Sequence, residues 1–166
     1  MQFFQSEGYL SIVHVVFRVG IGAAYFTHGA QKLLGWFGGV DGNGGTANLM
    51  SIYGAAGVIK FVGGLLLVVG LFTSLTAFIA TGELAAAYFI KHVSGGGLFW
   101  WGNRGELAMV LCFAMLALSA WGAGSLSVDA ATTRRRAGSR SDVQQPAISA
   151  QRRQECVEGR VAPCVR

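Results

Sequence analysis

The sequence predicts an all-α fold: a polytopic membrane four-helix bundle followed by a disordered C-terminal tail. Three observations carry that expectation. Of the 166 residues, 52% are hydrophobic and only 13% are charged, against about 25% charge in an ordinary soluble domain. Four apolar runs each approach the ~20 residues that a helix needs to cross a bilayer. The charge is also uneven. Residues 1–128 hold five basic and four acidic side chains, whereas residues 129–166 hold eight arginines against four carboxylates. The boundary between membrane domain and tail is placed there. The basic balance belongs to the tail, so it gives no nucleic-acid footprint, and a chain this poor in charge does not fit a water-soluble enzyme.

The first apolar segment runs from Tyr9 to Leu34. It lacks a basic leading region and Arg18 interrupts its apolar stretch, so it is not read as a cleaved signal peptide. A glycine-rich loop from Gly35 to Gly45 follows, with little intrinsic structure expected of it. The second segment, Ser51–Leu71, and the third, Ser74–Ile90, are separated by Phe72-Thr73 alone and must be antiparallel neighbours. Gly95-Gly96-Gly97 and the aromatic run Phe99-Trp100-Trp101 lead to the fourth segment, Glu106–Gly122. Paired tryptophans at a helix end read as an interfacial belt. None of the four runs alternates as a half-buried strand does. Arg134, Arg135, Arg136 and Arg140 outweigh Lys32, Lys91 and Arg104. By the positive-inside rule both termini are then cytoplasmic and the protein is multi-pass in the plasma (inner) membrane.

Ionisable residues inside these segments are the functional candidates, because each costs about 2.5–3.5 kcal/mol to insert at a helix centre. Arg18 and Glu83 each stand about nine residues into their segments from one side, at a depth of ~14 Å. They are therefore expected to pair, as a helix–helix staple or as part of a proton or quinone site. On a helical wheel His14, Arg18, Gly22, Tyr25, Gly29 and Lys32 fall within about 80° of one another. Such a stripe faces a bundle interior or a wet cavity, and its glycines admit a neighbouring backbone. Tyr53, Gly57, Lys60 and Gly64 form a similar face on the second segment. Lys32 and Lys91 are within snorkelling reach of the headgroups, but Lys60 lies ~13 Å deep and needs a counter-ion or a cavity. Tyr25, His28, Lys32, Lys60 and Glu106 are the candidate ligand or quinone site, an aromatic wall with cationic and imidazole donors. Tyr88 is set aside, since its face is about 140° from that of Glu83.

Other chemistries find little support. Cys112 reads as a small buried apolar residue, and Cys156 and Cys164 lie in the tail. No C-x-x-C and no Cys/His zinc spacing is present, and no metal is expected. A membrane haem needs facing histidines, and only His28 with His92 spans two segments. Flavin and iron–sulfur motifs are missing, so no cofactor is assigned to the chain itself beyond a quinone, and no catalytic residue is assigned.

The chain resembles the DoxX family of small bacterial and archaeal membrane proteins from Val16 to Ala130. Four stretches carry the likeness. The first runs from Arg18-Val19-Gly20 through His28-Gly29-Ala30-Gln31-Lys32-Leu33, and the second from Gly57 to Leu65 and on to Gly70-Leu71-Phe72-Thr73. The third is Gly82-Glu83-Leu84 through Phe89 with His92. The fourth is Trp101-Gly102-Asn103-Arg104-Gly105-Glu106-Leu107-Ala108, closing at Ser127-Val128-Asp129-Ala130. Family members commonly carry glutamate where Lys60 stands, which reverses the local charge, and the tail has no counterpart in the family pattern. The resemblance implies a four-helix membrane bundle linked to redox metabolism. Some relatives are subunits of thiosulfate:quinone oxidoreductase, and others belong to oxidative-stress or sulfur-handling complexes. The leading expectation is a membrane subunit of a quinone-associated oxidoreductase complex, with other membrane or peripheral redox subunits as partners. Two alternatives remain: a non-catalytic scaffold for soluble redox or sulfur-handling partners, and a proton or small-ion path along Arg18, Glu83 and His14.

Overall fold

The computed structural model describes residues 6–136. The rest of the tail expected to be disordered lies outside the described residues. Helix α1 spans Glu7–Leu34, α2 spans Ile52–Val69, α3 spans Thr73–Gly96 and α4 spans Glu106–Trp121. Short helical turns at Trp36–Gly38 and Trp100–Asn103 interrupt the two longer connections. No named β-strand occurs among the described residues, and the architecture is all-helical. By length and apolarity α1, α2 and α3 can each cross a membrane; α4, with 16 residues, is equally apolar but shorter.

Each helix has a local reason to start and stop. Ser6 caps α1 by accepting from Tyr9 N at 3.4 Å, and Ser51 caps α2 by accepting from Gly54 N at 3.2 Å. Gly70 ends α2 in the left-handed region at φ 72°, where its own N–H and that of Leu71 reach back to Leu67 and Leu66 carbonyls. Helix α3 is capped from a distance. Phe72 N and Thr73 N donate to the two carboxylate oxygens of Asp129 at 2.9 and 3.0 Å, while Asp129 N returns a bond to Gly70 O. The residue with which the tail was expected to begin therefore belongs to the bundle. Residues 128–136 are helical, although those from 129 onward were expected to lack structure; Ser127 Oγ accepts from Ala130 N at the start of this stretch.

Helices α1 and α2 pack through glycine. A Cβ on Gly29 would strike the backbone of Phe61, and one on Gly64 would strike that of Phe26, so the two axes approach as small residues in membrane helices permit. Tyr25, Leu67, Ala77, Ala80, Leu84, Leu111, Met115 and Leu118 form the core. Large apolar side chains such as Ile12, Val62, Phe78 and Phe113 point outward and are exposed, the surface expected of helices solvated by hydrocarbon. The bundle has a turn end, with Gly70–Thr73 and the 122–129 segment, and a loop end, with residues 35–51 and 97–105.

The loop end is more ordered than its composition predicts. Asp41 Oδ1 accepts from Asn43 N and Gly45 N at 2.9 and 2.8 Å, Gly39 pairs with Gly45, and Gln31 Nε2 donates to Gly39 O. Glycines at 35, 38, 39, 42 and 44 all have positive φ, the conformations that let so short a loop fold on itself.

Candidate functional site

The cation-bearing residues of the bundle divide between its two ends. At the turn end Arg18, 2% exposed, donates from Nη2 to Leu126 O at 2.8 Å and lies within electrostatic reach of Asp129. His14 Nε2 is 3.0 Å from Gly122 O, and Ser11 and Ser125 join through their hydroxyls. The first turns of α1 are thus bound to the segment following α4.

Glu83 is elsewhere. The expected Arg18–Glu83 pair is not formed: Glu83 Oε2 receives Lys60 Nζ at 2.6 Å, with both side chains more than nine-tenths buried. The reason is register. Arg18 touches Gly70 at the α2–α3 turn, whereas Glu83 lies ten residues along α3, about 15 Å further in. Equal counts from the segment starts implied equal depth only if those starts were level, and α1 begins about three turns below the α2–α3 turn. Lys60 thereby obtains the counter-ion that its depth demanded. Tyr25 OH donates to the same Oε2 at 3.0 Å, and Lys60 Nζ lies 4.6 Å from the Tyr25 ring centroid. Three helices meet in this triad.

Above the triad, toward the loop end, opens a cavity of about 1010 Å³. Lys60 and Glu83 lie at its inner end; His28, Lys32, Lys91, His92 and Arg104 line it further out. Its walls are largely apolar, with Ile59, Ile79, Leu84, Leu107 and Leu111 among them. Of the five residues expected to form a ligand site, His28, Lys32 and Lys60 line the cavity. Tyr25 is fully buried and fixes Glu83 instead. Glu106 is exposed and does not line it: as the first residue of α4 it sits at the helix N-terminus, where the dipole favours a carboxylate without any partner across the bundle.

Helix α3 reaches the cavity through an irregularity that no sequence pattern announced. Residues Tyr88–Val93 form a π-helical turn, a feature often found at functional sites. Tyr88, buried and outside the cavity, donates to Leu98 O at 2.5 Å, and His92 Nδ1 lies 3.1 Å from Asn103 O. Asn103 fastens this corner by donating to Gly97 O at 2.8 Å and accepting from Gly105 N at 2.8 Å. The widened turn sets Lys91 over the Tyr53 ring at 5.0 Å and places His92 on the wall. No group of three or more His, Cys, Asp or Glu gathers to hold a metal among the described residues.

A helical chain with three membrane-capable helices, and with a cationic, apolar-walled cavity open at one end, has the build of a membrane protein. It belongs to the DoxX family, whose model matches residues 13–93. That match covers most of α1, all of α2 and most of α3, and with them His28, Lys32, Lys60, Glu83, Lys91 and His92. An uncharacterized protein of Haemophilus influenzae is 37% identical over 115 residues, covering 68% of this chain and 84% of the relative. No solved structure matches.

Proposed function

We propose that the chain is a quinone-binding membrane subunit of a redox complex. The observation supporting this reading is the cavity of about 1010 Å³ with apolar walls and a few polar groups converging at its inner end. A quinone ring needs apolar surface for its faces and hydrogen-bond donors for its two carbonyl oxygens. The walls offer the first, and Lys60, His28 and Lys32 offer the second. Lys60 is held toward the cavity floor by Glu83, and Glu83 in turn by Tyr25, so the donor is fixed before any ligand arrives. A quinone held there by Lys60, His28 and Lys32 would supply two-electron, two-proton redox chemistry, with a partner subunit as the electron source. This chain's residues bind and orient the ring and shield it from water.

In this reading α4 also spans the bilayer, making a four-helix bundle. Its 16 residues reach about 24 Å, and Trp121 at one end with Trp100 and Trp101 before the other mark the two interfaces. Both termini are cytoplasmic, the loop end faces outward, and the plasma membrane is the site of action.

The test is purification of the native complex from its membrane in mild detergent, followed by identification of co-purifying subunits and extraction of bound quinone. His28→Ala, at preserved membrane levels, is expected to reduce quinone-linked electron transfer in that complex. Unchanged transfer with normal partner binding would favour a scaffold.

A further inference from the structure

We infer that the ligand of this cavity is an anion: an aromatic ring bearing an ionised oxygen, as in a hydroxyquinone, in preference to a neutral quinone. The inference rests on the quinone-site reading and narrows its ligand class. Its basis is the charge around the cavity. Lys32, Lys60, Lys91 and Arg104 line it, and Glu83 is the one carboxylate among the described residues that does so. Glu83 is already engaged through Oε2, with Lys60 Nζ at 2.6 Å and the Tyr25 hydroxyl on that oxygen, while Oε1 is buried with no hydrogen-bond partner among the described residues. Lys32, Lys91 and Arg104 therefore bring three positive charges to the cavity with no carboxylate within salt-bridge distance among the described residues.

These charges also act on one another. Lys32 is within electrostatic reach of Lys60 and Lys91, which oppose its charge, and of Glu83, which favours it, and His28 is within reach of both Lys60 and Lys32. Like charges gathered around a space walled by hydrocarbon repel more strongly than they would in water, and a sequence that keeps them there must offset that cost. Lys91 gains from the Tyr53 ring, but a ring contact does not cancel its charge. An anionic oxygen on the ligand does, and it turns the repulsion into the recognition element. The neutral carbonyls of an ordinary quinone need only one or two donors. Three cations beyond the Lys60–Glu83 pair are an excess that a charged ligand accounts for.

Two probes with one ring skeleton separate the two ideas. The full-length protein, in nanodiscs of zwitterionic phosphatidylcholine, is titrated with 2-methyl-1,4-naphthoquinone, which is neutral, and with 2-hydroxy-1,4-naphthoquinone, which is ionised at neutral pH. The anionic ring is expected to bind at least about tenfold more tightly, a difference of about 1.4 kcal/mol. Lys91→Gln and Arg104→Gln, at exposed side chains outside the proposed carbonyl donors, should each shrink that preference while leaving the affinity for the neutral ring unchanged. Equal binding of both rings would overturn the inference and leave the quinone-site reading standing. Binding of neither ring would overturn that reading itself. Displacement of the anionic ring by equimolar inorganic phosphate would show that charge alone is recognised, and would overturn the assignment of a ring.

Discussion

The two ends of the bundle bury cations in opposite ways. At the turn end Arg18 is enclosed by structure: its Nη2 donates to the Leu126 carbonyl, and its guanidinium lies against Gly70 and feels Asp129, while Nε and Nη1 are buried with no hydrogen-bond partner among the described residues. At the loop end Lys60 is held in a tight ion pair with Glu83, and that pair forms the floor of an open cavity ringed by further cations. Intramembrane charge alone does not separate a staple from a site. What separates them is whether the surrounding chain closes over the charge, as residues 122–129 do over Arg18, or is held apart, as the Asp41 loop and the π turn of α3 are.

That contrast can be broken most severely at the floor. Replacing one member of the Lys60–Glu83 pair, as in Lys60→Met or Glu83→Gln, strands the other in a low-dielectric interior at about 3–5 kcal/mol. Both single variants should accumulate poorly in the membrane, and the double variant Lys60→Met/Glu83→Gln should regain much of the loss. Strictly additive losses would show that the two residues are not coupled. Arg18→Ala combined with Glu83→Ala should bring no such recovery, because those two residues do not meet.

The contrast shows what was legible in the sequence. Apolar runs of bilayer length disclosed the helices, because hydrophobic length is a local property of the chain. The wheel of α1 correctly put Arg18, Gly22, Tyr25 and Gly29 on one buried face, and those glycines do admit α2. Which charge pairs with which was not legible, since it depends on the axial offset between helices. That offset is fixed by Gly29 against Phe61 and Gly22 against Leu67, contacts that carry no signature in spacing. Glu106 was misplaced for a related reason. Its position at a helix start was readable, but the direction in which that start faces was set by Asn103 and the loop it fastens. The π turn had no signal at all.

A smaller effect tests the sealed end. Asp129 holds the first two amides of α3 across a chain separation of more than fifty residues, and it supplies the carboxylate nearest Arg18. Asp129→Ala removes both bonds, a loss of about 0.5–2 kcal/mol by analogy with other N-cap deletions. Thermal unfolding in detergent should register it, while ligand binding in the cavity stays unchanged. Asp129→Asn, which keeps one acceptor oxygen, should fall between. A change in ligand affinity with either variant would mean that the two ends are not independent.

The smallest effect concerns the rim of the open end and depends on pH. Asp41 accepts from Asn43 N and Gly45 N. Because both bonds favour the ionised form, they hold its carboxyl below the ordinary aspartate range, Asn43 contributing first and Gly45 second. A folded value lower than the unfolded one means that the loop's stabilisation is complete above the ordinary aspartate range and disappears as pH falls through the folded value. Gly39 and Val40 of this loop line the cavity, so acidification should loosen its rim. The protection of the Gly45 amide, its exchange rate measured against the intrinsic rate at each pH, should fall on acidification from neutral pH in the wild-type chain ahead of protection in α2 and α3. In Asp41→Asn the Gly45 amide should exchange faster than wild type at neutral pH and lose that acid-dependent step. Unchanged protection of Gly45 across the whole range in the wild-type chain would remove the carboxylate from any part in holding the rim.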